Sequence, residues 1–382
     1  VCLVIGAHWL GEAAAVSRMM TDHAPLAILC ACLALEDVGD DVIVATLERA
    51  ATHWHAVCWL AGNHLVTPTL AGALQRKGLF DRLPDEVREY LATLQALNRD
   101  RNRMLREQLF AITGQLNRLG IQPLLLKGAI ALLPDAYPGA EDRVMGDLDI
   151  LVPEARLPEA IAAVTAMGYR HWDEGVLLPG ESETWHHFPA LLHSDLPVKL
   201  ELHRRIVDDP ADDARLRAGL ESRIVTMPGA GEARAPDIPT RLLHNFLHAQ
   251  IVDRHRRRRE LNLRQLYEFA ALAQAGAGKL CWPELLARLR PRYHAALAEY
   301  LAQAEGWLGL TYPEAIPRSP HAERELWLIR QAQTRANWRR LFAAVDYLRR
   351  LPPRVARLPL RLVLTPAWLP AKLKSLRKNR DA

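Results

Sequence analysis

The chain has 382 residues, 49% hydrophobic and 24% charged, the ordinary balance of a globular protein with length for one large domain or two to three smaller ones. Its net charge of +5 is unevenly spread: residues 349–382 carry ten Lys or Arg against one Asp, leaving 39 basic against 43 acidic groups elsewhere. The basic balance belongs to the tail, and gives no ground for a nucleic-acid footprint over the body of the protein.

The apolar run from Ala24 to Leu35 is broken by Pro25 and falls short of the roughly 20 residues a membrane-spanning helix needs. The apolar N-terminal start lacks a preceding basic region, so it does not read as a signal peptide. Of the five cysteines, Cys2, Cys30, Cys32 and Cys58 cluster early and Cys281 stands apart. No pair has zinc-ribbon spacing, and they read as reduced thiols of a cytoplasmic protein.

Residues 1–98 read as an N-terminal helical region, with apolar positions at three- and four-residue steps, as in Val42 to Ala50. Thr67-Pro68 opens a helix with Thr as cap and Pro at the first position, and Pro84 opens another. A long helix runs from about Val87 to Leu119 along the stripe Leu105, Leu109, Ile112, Leu116, and Gly120 ends it. Pro123 to Leu126 then reads as a short buried strand, Lys127-Gly128 as the turn out of it, and Ala129 onward as a helix. Backbone N–H groups in that geometry can cradle a phosphate.

The next strand begins at Asp147 and is stopped by Pro153. Leu157 to Met167 is a helix ended by Gly168, Tyr169 to Trp172 begins a strand, and His186 to His193 forms one that pairs with its successor. That successor, Pro197 to Arg204, alternates cleanly: Lys199, Glu201 and His203 share one face, Val198, Leu200 and Leu202 the other.

From about Pro239 the chain turns helical again. Thr240 to Glu260 reads as one helix broken near Arg256, followed by Leu261 to Gln274, Trp282 to Trp307 and a long helix from His321 to Leu348. His244 and His248 share a helix face, but the pair lacks both the Glu of a zincin motif and a third ligand, which disfavours zinc. Arg254 to Arg259 reads as a solvated face, with a phosphate-binding cluster as the alternative. The tail is either a flexible basic extension or a segment lying on an anionic membrane surface.

The chemistry concentrates in the middle third. Asp147 and Asp149 share one strand face. Adjacent carboxylates repel unless positive charge sits between them, and a hard divalent cation such as Mg²⁺ meets that need. Two acids on a solvated strand edge is the plainer alternative. Glu201 adds a third acid, flanked by Lys199 and His203. Three carboxylates on two metal ions can neutralise a triphosphate, activate an attacking hydroxyl and clamp the leaving pyrophosphate. The third can also take the acceptor's proton.

Leu125-Leu126-Lys127-Gly128-Ala129, Met145-Gly146-Asp147-Leu148-Asp149-Ile150-Leu151-Val152 and Glu201-Leu202-His203, with Leu243-His244 and Leu247-His248 downstream, resemble an uncharacterised bacterial nucleotidyltransferase family of the polymerase-β superfamily. The resemblance spans about residues 30–280. It implies an α+β fold: a small mixed β-sheet nucleotidyltransferase core at 99–235 with flanking helices, embedded between the N-terminal helical region and a C-terminal helical domain at 236–348, then the basic tail. It implies Asp147, Asp149 and Glu201 as catalytic and metal-binding residues, with Mg²⁺ or Mn²⁺ as cofactor. Lys127, Gly128, Gly146, Lys199, His203 and His248 are the nucleotide-binding candidates. The implied reaction moves an NMP from an NTP such as ATP to a hydroxyl or phosphate acceptor on a small molecule, peptide or protein. One departure stands out: the wider superfamily's Gly-Ser turn is here Lys127-Gly128-Ala129, so phosphate contact passes to Lys127 and backbone N–H groups. The rival reading is a non-catalytic nucleotide- or partner-binding protein on the same fold, with the tail making membrane or nucleic-acid contact. The expected location is cytoplasmic, peripheral to the membrane if the tail binds it.

Overall fold

A computed structural model describes residues 24–35, 53–133, 141–171, 186–196 and 198–350. The expected helix at Val42 to Ala50 and the tail beyond residue 350 lie outside them. Three helices come first, α1 (Ala24–Leu33), α2 (Trp54–Asn63) and α3 (Thr67–Arg76). Pro68 sits in the first turn of α3 as expected, but Thr67 is already helical and buried, and Val66 holds the cap position. The long helix α4 (Asp85–Arg118) has acids in its first turn and Arg118 in its last, matching the helix dipole. Gly120 follows at φ +71°, a left-handed conformation that favours glycine.

The alternating segments build one mixed sheet. Its strands are β1 (Leu124–Leu126), β2 (Asp147–Leu151), β3 (Arg170–His171), β4 (Leu191–Leu192), β5 (Lys199–His203), β6 (Ser222–Met227) and β7 (Gly231–Pro236). Their order is β3-β4-β5-β2-β1-β7-β6. The central strand β2 runs antiparallel to β1 and parallel to β5. Short helices α5 (Gly128–Ala131), α6 (Leu157–Ala166) and α7 (Pro210–Ala218) join these strands.

Strand alternation sorts side chains between two apolar cores. Leu125, Leu148, Ile150, Leu200 and Leu202 point to one, which α4 closes with Leu105, Leu109, Ile112 and Leu116, and α6 with Ala160 and Val164. The opposite face sends Leu124, Leu126 and Leu151 to the second core. There α1 to α3 meet helices from the far end of the chain: α8 (Ile238–Phe246), α10 (Leu263–Ala275), α11 (Trp282–Ala287) and α12 (His294–Leu308). The start of α4 reaches this core through Leu91. Asp147, Asp149, Lys199, Glu201 and His203 lie on the sheet face turned toward this helical layer, by the same period of two that buries their neighbours.

The C-terminal half is more broken than the sequence suggests. After α8 the helix widens into a π-helical segment, Leu247–Val252, and stops at Asp253. Arg254, at φ +61°, turns the chain before α9 (His255–Arg258). The break therefore falls ahead of Arg256. The stretch from Trp282 to Trp307 is two helices parted at Pro291, where a proline ring cannot continue the ladder. His321 to Leu348 is also two, α13 (Ala322–Thr334) and α14 (Ala336–Arg350), parted at the extended Arg335. The arginine run is largely neither a solvated face nor a phosphate cluster. Arg256 pairs with Glu299 at 2.7 Å, Arg259 with Glu325 at 3.1 Å, and Arg258 with the buried Asp346 at 3.5 Å, tying α9 to α12, α13 and α14. No helix among the described residues is long and apolar enough to cross a membrane.

Candidate active site

The site grows from the pairing of β2 with β5. Their parallel register sets Asp147 opposite Lys199, Asp149 opposite Glu201 and Leu151 opposite His203. Asp149 is fully buried, and its Oδ1 accepts from Lys127 Nζ at 2.8 Å and from His203 Nε2 at 2.8 Å. Its Oδ2 is buried with no hydrogen-bond partner. Lys199 Nζ donates to Glu201 Oε1 at 2.6 Å and lies 3.6 Å from Asp147 Oδ2. Two ammonium groups thus answer three carboxylates, leaving a surplus of negative charge beside an unpartnered carboxylate oxygen.

The electrostatics follow from burial and these contacts. Burial would raise Asp149, but Lys127 and His203 outweigh it and hold the carboxyl well below its usual range. Burial and repulsion from Asp149 and Glu201 push Asp147 up. For Glu201, burial and Asp149 pull upward, yet Lys199, His187 and Lys127 leave it lowered. Ligand atoms of Asp149, Glu201 and His203 all lie within 4.8 Å of one another, the one metal-capable group of three among the described residues. An unpartnered carboxylate oxygen in such a group fits a divalent cation. Asp147 stands outside this group. Its side chain is 36% exposed and turned to Lys199, while the imidazole of His203 takes the third position.

Lys127 adopts φ +45° and ψ −122°, a conformation L-residues rarely visit, which aims its ammonium back at Asp149. Gly128 follows because nothing larger fits: a Cβ there would sit 2.5 Å from Arg143 Nη1 and 3.0 Å from Met145 Sδ. The helix expected from Ala129 onward is only the four-residue α5. The loop before β2 is held from the helical side. Asn98 and Asn102 donate to the Arg143 carbonyl at 3.1 and 2.9 Å, and Thr69 Oγ1 donates to that of Asp142 at 2.7 Å.

Between sheet and helical layer lies a cleft of 340 Å³, lined by Lys127, Gly128, Asp147 and Glu201 on one side. His248 lines the opposite wall, where its Nδ1 lies 3.0 Å from Asp253 Oδ2 across the π-helical segment. Gly146 is exposed in the turn before Asp147, with open space where a side chain would be. Several lining residues were not singled out by the sequence: Arg143, Arg241, Arg264, Glu268 and the pair His186-His187. The signal available was helical spacing, since Arg241, His244 and His248 recur at three and four residues, as do Arg264 and Glu268.

With this geometry in hand, comparison with known families is decisive. A family described as uncharacterised nucleotidyltransferase matches residues 50–309. The chain belongs to this family. No curated protein matches it. In this family member the matched stretch contains both the sheet face with its three acids and the helical wall across the cleft.

The buried histidines make the nucleotidyltransferase fold acid-sensitive. Burial pulls His203 down to about 4, although Asp149 accepts from its Nε2, and burial also holds His244 well below the usual imidazole range. In the unfolded chain both titrate at about 6.5. Below that pH the unfolded state binds protons that the native state refuses. Stability is therefore complete above the unfolded value and is lost as pH falls toward the folded one. For His203 alone the loss reaches about 3 kcal/mol. Urea denaturation in EDTA should show the midpoint falling steadily from about pH 7 to about pH 4.5; a flat midpoint would contradict neutral burial.

Proposed function

We propose that the protein is a metal-dependent nucleotidyltransferase that moves an NMP from an NTP to an acceptor hydroxyl or phosphate. The observation that carries this reading is the unpartnered, buried Asp149 Oδ2 beside Glu201 and His203, behind a cleft lined by Glu201, Asp147 and the Lys127-Gly128 turn. Mg²⁺ or Mn²⁺, held by Asp149 and Glu201 with Asp147 adjoining, would supply charge neutralisation of the triphosphate and a lowered pKa for the acceptor hydroxyl. The chain's own groups do the rest. Lys127 fixes Asp149, and Lys199 fixes Glu201. An acceptor oxygen bonds to the α-phosphorus while the bond to the bridging oxygen breaks and its electrons leave with pyrophosphate. Glu201, which lines the cleft, would take the acceptor proton, with His187 and His203 shaping its charge.

The four NTPs, each with Mg²⁺ or Mn²⁺ and cell extract, test the reading by mass analysis of what gains an NMP. Pyrophosphate release is expected to vanish on chelation with EDTA and to return with added Mn²⁺ or Mg²⁺. NTP binding without any NMP-bearing product would instead support the non-catalytic binding module.

A further inference from the structure

The cleft has two unlike walls. On the sheet wall the cations are committed: Lys127 is 2.8 Å from Asp149, and Lys199 is 2.6 Å from Glu201. The four-residue α5 offers little helix dipole to an anion. The opposite wall carries guanidinium groups. Arg143 extends from the loop before β2, Arg241 from α8 and Arg264 from α10, and all three line the cleft. Their carboxylate neighbours there are Glu268 and Asp253, with Asp147 also acting on Arg264. Asp253 is already held by His248 at 3.0 Å and Gln265 at 2.9 Å. Glu268 accepts from Arg143 Nη2 at 2.7 Å and Nε at 3.2 Å, which fixes that guanidinium with Nη1 against Gly128.

Two further observations point to a ligand. Arg264 donates from Nη1 to the Val144 carbonyl at 3.3 Å, but its buried Nε has no hydrogen-bond partner. His244, 5% exposed and lining the same wall, has an unpartnered Nε2. Buried polar atoms without partners cost stability unless something else satisfies them. Burial also lowers both Arg241 and Arg264 from their ordinary range, with Arg143 adding to the effect and Glu268 opposing it. The wall concentrates positive charge in a desolvated place, where an anion would relieve it.

We infer that Arg143, Arg241 and Arg264, with His244, form a polyphosphate site that holds the β- and γ-phosphates of the NTP and the pyrophosphate that leaves. This rests on the nucleotidyltransferase reading and deepens it. The position is right for that role: Arg143 Nη1 lies against the Gly128 turn, and Arg264 lines the same cleft as Asp147. Guanidinium groups match phosphate oxygens in paired hydrogen bonds, and a cleft of 340 Å³ is large enough for such a chain. Carboxylates with a cation then act on the α-phosphate from one wall, while the arginines draw charge toward the leaving group from the other.

The test is direct binding of inorganic tripolyphosphate to the full chain by calorimetry, with sulfate and AMP as comparison ligands. Tripolyphosphate should bind more tightly than sulfate. Arg264→Gln and Arg241→Gln should each weaken it roughly 10- to 100-fold while changing AMP affinity less than about twofold. Thermal melts confirm that each variant folds, and each is read independently of the other. Wild-type protein that binds tripolyphosphate no better than sulfate overturns the inference, as do two folded variants with unchanged affinity. The readout needs no turnover. Pyrophosphate release without tripolyphosphate binding would sink this inference and spare the nucleotidyltransferase reading; binding without release would do the reverse.

Discussion

Replacing Asp149 by Asn is expected to lower turnover at least about a hundred- to a thousandfold, the range seen when a charge-stabilising group is removed from an active site. The same change leaves the buried ammonium of Lys127 without its counter-charge, and breaking a buried pair from one side costs about 3–5 kcal/mol. Loss of activity alone would therefore mix chemistry with unfolding. Asp147→Asn separates them. Asp147 is 36% exposed and lies 3.6 Å from Lys199, so its neutral variant should fold with little change in melting temperature. If the acids act on the nucleotide, Asp147→Asn loses turnover while keeping its fold. If both variants fold and release pyrophosphate at the wild-type rate, the carboxylates are not the reacting set.

A second large effect on stability is expected outside the site. Gly72→Ala in α3 is a helix-interior change that would ordinarily stabilise by about 1 kcal/mol. Here the sign reverses. The added Cβ would collide with the Asp142 carboxylate. That carboxylate cannot easily retreat, because Arg76 Nη1 donates to it at 2.6 Å and Gln95 Nε2 at 3.0 Å. Overpacking of this kind costs about 3 kcal/mol. The displaced residue is next to Arg143 and five before Asp147, so turnover should fall as well. Urea midpoints check the first effect, with Gly146→Ala as the contrast, since nothing stands within 4 Å of its added Cβ. A Gly72→Ala variant as stable as wild type would mean that the loop is not clamped as described.

Reading the chain in one dimension reaches some of this and misses the rest for physical reasons. The strands of Asp147 and Glu201 are legible because polar and apolar residues alternate along most of each, and that alternation also gives which side chains share a face. The hairpin of β6 and β7 is not legible: its inward residues include the small Ala233 and Ala235, while Ile224 points to solvent. The offset of Asp147 from the metal-capable group depends on where Lys199 swings, which spacing does not encode. His203 is legible as a neighbour of Glu201 but not as a ligand-grade group, since its burial comes from tertiary packing. The arginine wall takes one residue each from a loop and two helices, a convergence no single periodicity reports. The break at Arg335 has no proline or glycine to announce it.

The 34-residue α4 has a consequence of its own. It is about 51 Å long at 1.5 Å per residue, and it enters one apolar core with Leu91 and the other with Leu105 to Leu116. Between these stretches Gln95, Asn98 and Asn102 grip the loop that carries Asp142 and Arg143. A rod embedded at both ends and clamped in the middle acts as a strut. It ties the sheet to the helical layer, and neither half can melt without pulling on the other. Calorimetry of the intact chain should accordingly show one joint transition for sheet and helical layer, and neither half should survive expression without this shared beam.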